Sequence, residues 1–183
     1  MPMRLSTLAS VTAFALAVAV PTQFAFAKEK TVIVGGAAMY PSKNIVANAV
    51  NSKDHTTLVA AVKAAGLVDT LSGPGPYTVF APTNAAFGKL PKGTVATLVK
   101  PENKATLTKI LTYHVVPAKL NAAQLMDGQR LTTVEGEPLT VKKSGGKVMI
   151  VDAKGGAATV TVADVEQSNG VIHVVNSVLM PAS

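Results

Sequence analysis

The residues of this chain best equipped for chemistry are three histidines and two pairs of acids. His55, His114 and His173 are evenly spaced. The residues around them do not align at that offset, so no internal repeat underlies the spacing. The short intervals between ligands that mark zinc motifs are missing. The chain has no cysteine, which removes thiolate ligands and disulfides together. Glu135 and Glu137 flank Gly136, and Asp164 and Glu166 sit two apart. Either pair has the composition of an acid and a base for glycoside cleavage. Both pairs fall at turns or strand ends, where solvated charge is the ordinary explanation. There is no Gly-x-Ser-x-Gly elbow, phosphate loop or dinucleotide fingerprint. Gly73-Pro74-Gly75 and Gly155-Gly156 are too short and turn-like to cradle a phosphate. The expectation is a non-catalytic protein with no cofactor and no metal, and a hydrolase reading has only these scattered acids and histidines behind it.

Charge and the N-terminus point outside the cytoplasm. Arg4 opens a run from Leu8 to Val20 that is almost wholly apolar or small, Pro21 breaks it, and Ala25-Phe26-Ala27 offers a small-x-small cleavage pattern. This predicts a signal peptide over residues 1–27, cleaved after Ala27. The apolar run is shorter than the ~20 residues needed to span a bilayer, and no later stretch is a membrane helix. A secreted or periplasmic product without a transmembrane segment follows. The formal net charge is +7. Losing Arg4 with the leader lowers it by one. The lysines are scattered, with the densest cluster at Lys142, Lys143 and Lys147. Such a balance favours anionic glycans or cell surfaces through long-range attraction. Nucleic acid is a poor match, because no aromatic stacking platform is interleaved with the basic residues.

The elements that position these residues change period along the chain. Residues 28–41 read as a lead-in, mobile or loosely docked, in which Val32, Ile33 and Val34 form a short strand at most. Helical spacing begins with Ile45, Val46, Ala49 and Val50. A second helix starts near Asp54 with Ser52 or Asp54 as its cap, buries Leu58, Val59 and Val62, and stops at a left-handed Gly66. Leu67 to Leu71 add a turn. Tyr77 to Ala81 read as a buried strand ended by Pro82, and Thr83 or Asn84 caps the turn carrying Ala86 and Phe87. Two more helices are expected, over Thr94 to Val99 and from Pro101 through Leu111. Strands around Val141, Met149 and Thr161 then alternate apolar and polar residues, with glycine turns between them. Val171 to Val175, apolar on both sides of His173, reads as a central strand. Helices first and a β-meander second give an α+β domain.

Three blocks of this sequence resemble the fasciclin-type domain. Tyr77-Thr78-Val79-Phe80-Ala81-Pro82-Thr83-Asn84-Ala85-Ala86-Phe87 is similar to the family's first signature block. Asn169-Gly170-Val171-Ile172-His173-Val174-Val175-Asn176 with its continuation to Pro181 is similar to the second. Leu111 to Val116 matches the Tyr-His motif between them. The resemblance covers about residues 42–181. It implies a wedge-shaped β-sandwich with N-terminal helices packed on it, and an extracellular role in cell adhesion without catalysis or cofactor. Thr78, Phe80, Pro82, Thr83, Asn84, Phe87, Asn169, Gly170, His173 and Asn176 are then motif residues with architectural roles. Many members carry Asp where this chain has Asn84 and Asn176, so a carboxylate is lost at both.

Tyr113 and His114 are the candidate adhesion contact, because the family's Tyr-His segment is linked to cell binding. The competing reading makes His114 a buried ring bonded to Thr83 or Asn84, since a polar group among apolar neighbours needs a partner. His173 reads as structural on the same ground. The functional expectation is an interaction module whose partner is a cell-surface or matrix protein, or an anionic polysaccharide. The alternative is a periplasmic carrier of a small apolar ligand, held in a pocket between sheet and helices.

Overall fold

A strand buried on both faces must supply apolar side chains in both directions, and Tyr77–Pro82 does so. In the computed structural model, which describes residues 30–182, this strand has Val79 and Ala81 in one core and Phe80 in another. The signal peptide expected over 1–27, with Lys28 and Glu29, lies outside the described residues.

The helical layer holds α1 (Ile45–Ala49), α2 (Thr56–Ala65), α3 (Val68–Ser72), α4 (Asn84–Gly88), α5 (Thr94–Leu98) and α6 (Lys104–Tyr113). Single 3-10 turns at Lys53–His55 and Pro101–Asn103 lead into α2 and α6. Gly66 ends α2 at φ 73°, the left-handed stop expected there. The start of α2 differs from expectation. Ser52 Oγ bonds the ring Nδ1 of His55 at 2.9 Å and caps no backbone N–H. The Thr57 N–H instead donates to Asn84 Oδ1 at 3.0 Å, a cap supplied from α4.

The strands are β1 (Val32–Val34), β2 (Ala37–Met39), β3 (Tyr77–Pro82), β4 (Val115–Val116), β5 (Arg130–Thr132), β6 (Pro138–Ser144), β7 (Lys147–Val151), β8 (Ala157–Gln167) and β9 (Gly170–Val175). Seven of them form one mixed sheet in the order β4-β3-β9-β8-β7-β6-β5. The eleven-residue β8 pairs with β7 through its first residues and with β9 through the rest. Register shifts around Val162 bend it, with Asp164 in the left-handed region at φ 56°. The bend folds the sheet into two leaves. At the far ends, the Val134 N–H donates to the Val115 carbonyl at 2.8 Å, so the sheet nearly closes on itself. The result is the expected α+β, sandwich-like architecture.

Two cores follow from this bend. One lies between the helices and the β3–β9 leaf, with Leu58, Val62, Phe87, Leu107, Ile172 and Val174 among its members. The other fills the space between the leaves, with Phe80, Tyr113, Leu139, Val141, Ile150 and Val175. The segment expected to be loosely docked is not so. β1 and β2 form a hairpin whose Val34 and Met39 are buried in the helical core. Its anchor is Asn48, fully buried on α1. The Asn48 side chain accepts from the Tyr40 N–H at 3.0 Å and donates to the Tyr40 carbonyl at 2.8 Å and to Gln167 Oε1 at 2.5 Å. A hairpin this short is marginal alone, and these bonds tie it to β8.

Candidate functional site

The two signature segments lie side by side. β3 and β9 pair in parallel from Tyr77↔Gly170 to Pro82↔Val175. Their close approach explains Gly170: a Cβ there would stand 2.0 Å from the Tyr77 carbonyl oxygen. The glycine therefore serves strand contact, beyond the turn expected at Asn169-Gly170. Asn169 is buried and knots three elements together. Its Nδ2 donates to the carbonyls of Leu71 and Gly73, each at 2.8 Å, and its Oδ1 accepts from the Ile45 N–H at 3.1 Å. Thr78 Oγ1 donates to the Ala118 carbonyl at 2.5 Å and accepts from the Leu120 N–H at 2.9 Å.

The first block ends in a divided capping arrangement. Thr83 caps α4 by accepting from the Ala86 N–H at 3.2 Å. Asn84 turns the other way, and its Nδ2 donates to the Lys53 carbonyl at 2.8 Å and to Thr56 Oγ1 at 2.9 Å. A carboxylate could not donate, so this chain uses the amide that stands where many members carry Asp. Asn176 Oδ1 accepts from the Thr159 N–H at 2.9 Å, joining β9 to β8. Phe87 is buried, and Pro82 closes β3.

The histidines occupy separate interior settings. His114 is 2% exposed. Its Nδ1–H donates to the Ile110 carbonyl at 2.8 Å, and its Nε2 accepts from the Leu179 N–H at 2.9 Å. The accepted bond needs the neutral ring, and burial lowers the pKa from 6.5 to about 4, against smaller opposing effects of the Ile110 bond and Asp152. The partners are backbone groups of α6 and the C-terminal segment; Thr83 and Asn84 are not involved. His173 stacks on Phe80 with ring centroids 5.7 Å apart. Its Nε2–H donates to the Leu120 carbonyl at 2.7 Å, and burial lowers its pKa. Tyr113 is fully buried; its hydroxyl donates to the Pro138 carbonyl at 3.3 Å and accepts from the Ala153 N–H at 2.9 Å. The expected adhesion contact at Tyr113 and His114 is thus corrected: both side chains lie inside, because each polar tip finds its partners on buried backbone.

The acid pairs are bonded and not merely solvated. Glu135 pairs with Lys109 at 3.5 Å, and Glu137 accepts from the Ala182 N–H at 2.7 Å. Asp164 accepts from the Ala122 N–H at 2.7 Å, and Glu166 pairs with Lys119 while accepting from Asn121 Nδ2 at 3.1 Å. Among the described residues, no three His, Asp or Glu side chains stand close enough together to ligate a metal. Between α1, α2, α3 and β3 lies an apolar recess of about 40 Å³. Val46, Ala49, Val59, Val62 and Val68 line it, with Lys63 at its lip.

A model of the fasciclin domain matches residues 53–181. The chain belongs to the fasciclin domain family. A relative, protein sll1483 of Synechocystis sp., is 52% identical over 153 residues, covering 84% of this chain and 82% of its own length. Immunogenic protein MPT70 of Mycobacterium tuberculosis is 40% identical over 136 residues, 72% of this chain and 65% of that protein. The fold is shared with the FAS1 domain pair from the insect cell adhesion molecule Fasciclin I, at a TM-score of 0.68 and 19% identity, covering 77% of this chain and 52% of that one. The family match leaves the lead-in hairpin and α1 outside its bounds, although Asn48 bonds them into the same body.

Proposed function

We propose that this fasciclin domain is a secreted or periplasmic, non-catalytic adhesion module that grips an apolar side chain of a surface or matrix protein in the recess between α1, α2 and α3. One observation carries the reading. The buried polar side chains of the signature segments are committed to interior hydrogen bonds, so contact falls to the surface, where the recess is an apolar feature with a defined shape. A relative named as a cell surface glycolipoprotein, MPB83 of Mycobacterium bovis, is 41% identical over 115 residues, which supports the surface setting. A recess of about 40 Å³ is far smaller than the ~150 Å³ cavity that takes up benzene. It suits the tip of one side chain better than the enclosed cargo of a carrier. Single-site affinity is expected to be weak, and attachment then depends on many copies.

The test is attachment of cells to beads bearing the purified domain. Retention above that of an unrelated protein of equal positive charge is expected, with loss of retention on Val59→Asp at the lip of the recess. Retention unchanged by that substitution would overturn the assignment of the surface. Native mass spectrometry separates the carrier reading, because a carrier emerges from purification with its ligand bound.

A further inference from the structure

The outer face of the β5–β7 leaf carries a row of cations. Leu131, Leu139, Val141 and Ile150 point into the inter-leaf core and are buried. By strand alternation their neighbours Arg130, Lys142 and Lys147 point outward, and all three are exposed. The register fixes their arrangement: Arg130 lies opposite Thr140, Lys142 opposite Met149, and Lys147 opposite Ser144. Arg130 and Lys142 are therefore diagonal neighbours, as are Lys142 and Lys147, each pair about 7–8 Å apart. Three strands together display one oblique cationic stripe about 15 Å long. Outward positions beside it carry hydroxyl or apolar side chains, Thr132, Thr140, Met149 and Thr159.

Among the described residues Arg130, Lys142 and Lys147 make no ion pair; Asp127 stands at the β6 edge, where its Oδ1 accepts from the Lys143 N–H at 2.7 Å. The ion pairs among those residues are Lys100–Glu102, Lys109–Glu135 and Lys119–Glu166. Glu135 and Glu137 sit at the opposite end of the β5–β6 hairpin and are bonded to Lys109 and Ala182. Like charges at this spacing on a sheet are unfavourable. A polyanion relieves that repulsion while releasing its own counterions.

We infer that the outer face of β5–β7 binds a linear anionic polysaccharide through Arg130, Lys142 and Lys147. The stripe is straight, regularly spaced and flanked by hydroxyls, which matches a polymer with repeating charges. The large apolar side chain among these outward positions, Met149, is half-buried, so the face offers no fully exposed apolar group of the kind that would enter an anionic bilayer. The exposed large apolar residues Ile33, Tyr40, Val50, Met126 and Val134 all lie off β5–β8. This inference extends the binding-module reading to a second face and does not involve the helical recess.

The experiment uses the purified protein with dextran sulfate as probe, uncharged dextran as its neutral counterpart, and phosphatidylglycerol vesicles as the membrane arm. Two triple variants of equal net charge are compared: Arg130→Gln, Lys142→Gln and Lys147→Gln on the sheet face, and Lys53→Gln, Lys92→Gln and Lys104→Gln elsewhere. At about 0.15 M salt wild-type protein is expected to bind dextran sulfate and not dextran. The sheet-face triple is expected to lose about tenfold in affinity and to show a shallower salt dependence, and the other triple to stay within about twofold. The three single sheet-face variants, which leave two cations in place, each lose about twofold. Equal losses in both triples overturn the inference, as does stronger binding to the vesicles than to dextran sulfate. If the sheet-face triple fails to fold, unchanged affinity in all three single variants overturns it equally. Bead attachment through the recess is not expected to change in the sheet-face triple, so the two readings fail separately.

Discussion

At the scale of single residues, the polar members of the signature segments act as interior fasteners, and His114 shows what that implies. Its ring joins the end of α6 to the C-terminal segment through one donated and one accepted bond. The accepted bond is lost on protonation. In the folded state the ring takes up a proton only near pH 4, whereas its ordinary value is 6.5. The folded pKa lies below the unfolded one, so the unfolded chain binds the proton first as pH falls. The stability from the neutral ring is thus complete above pH 6.5, and is lost progressively between 6.5 and about 4. Its size is on the order of 3 kcal/mol. His55 and His173 are shifted in the same direction, also by burial, so they steepen the loss. The urea midpoint is expected to fall steadily as pH is lowered from about 7 toward 4. His114→Leu should be less stable at neutral pH by about 1–3 kcal/mol, because the Leu179 N–H is left unpaired, and should show a flatter pH profile. A profile as steep as wild type would place the titrating group elsewhere. From sequence, a histidine among apolar neighbours predicted burial. It did not predict the partners, since backbone groups distant in the chain leave no side-chain signature.

At the scale of elements, most helices and strands were legible because each carries its own periodic apolar face. The helices over Thr56–Ala65 and Lys104–Tyr113, the alternating strands β6 to β8 and the wholly buried β9 agree with their patterns. β4 and β5 were not foreseen. They have two and three residues, too few to show a period, and their pairing with neighbours gives them order. The docked β1–β2 hairpin was missed for a related reason: Asn48 and Gln167, which hold it, are ordinary polar residues until the fold brings them together. The parallel direction of the β3–β9 pairing leaves no mark in the sequence, and Gly170 reveals its tightness. Gly170→Ala would place a methyl group 2.0 Å from the Tyr77 carbonyl oxygen. Backbone on both sides leaves no flexible atom to yield, so the strands must separate at the Tyr77↔Gly170 end. A loss above about 3 kcal/mol is expected, the range of severe core overpacking. Faster amide exchange should be concentrated at Tyr77, Thr78 and Val171. A stability within error of wild type would mean that the strands do not meet as closely as described.

At the scale of the whole molecule, the two cores share β3 and β9, and this sharing governs how the domain comes apart. Val79 and Ala81 belong to the helical core while Phe80 between them belongs to the inter-leaf core. On β9, Ile172 and Val174 face the helices and Val175 faces the other leaf. Neither core can lose its central strands without exposing the other, so unfolding is expected to be one cooperative step. Leu107→Ala opens the helical core and Leu139→Ala the inter-leaf core; each is expected to cost about 2–5 kcal/mol. Far-UV circular dichroism follows the helices, which pack on the helical core except for Tyr113 at the end of α6. The near-UV signal of Tyr113 reports the other core, where that ring is fully buried. In wild type and in both variants the two signals should move together through a single urea transition, with both variants shifted to lower urea. A Leu139→Ala protein that loses the tyrosine signal while keeping its helices would show that the leaves unfold independently. The domain would then be two weakly joined layers, and the sheet face bearing Arg130, Lys142 and Lys147 could detach from the helical recess under load.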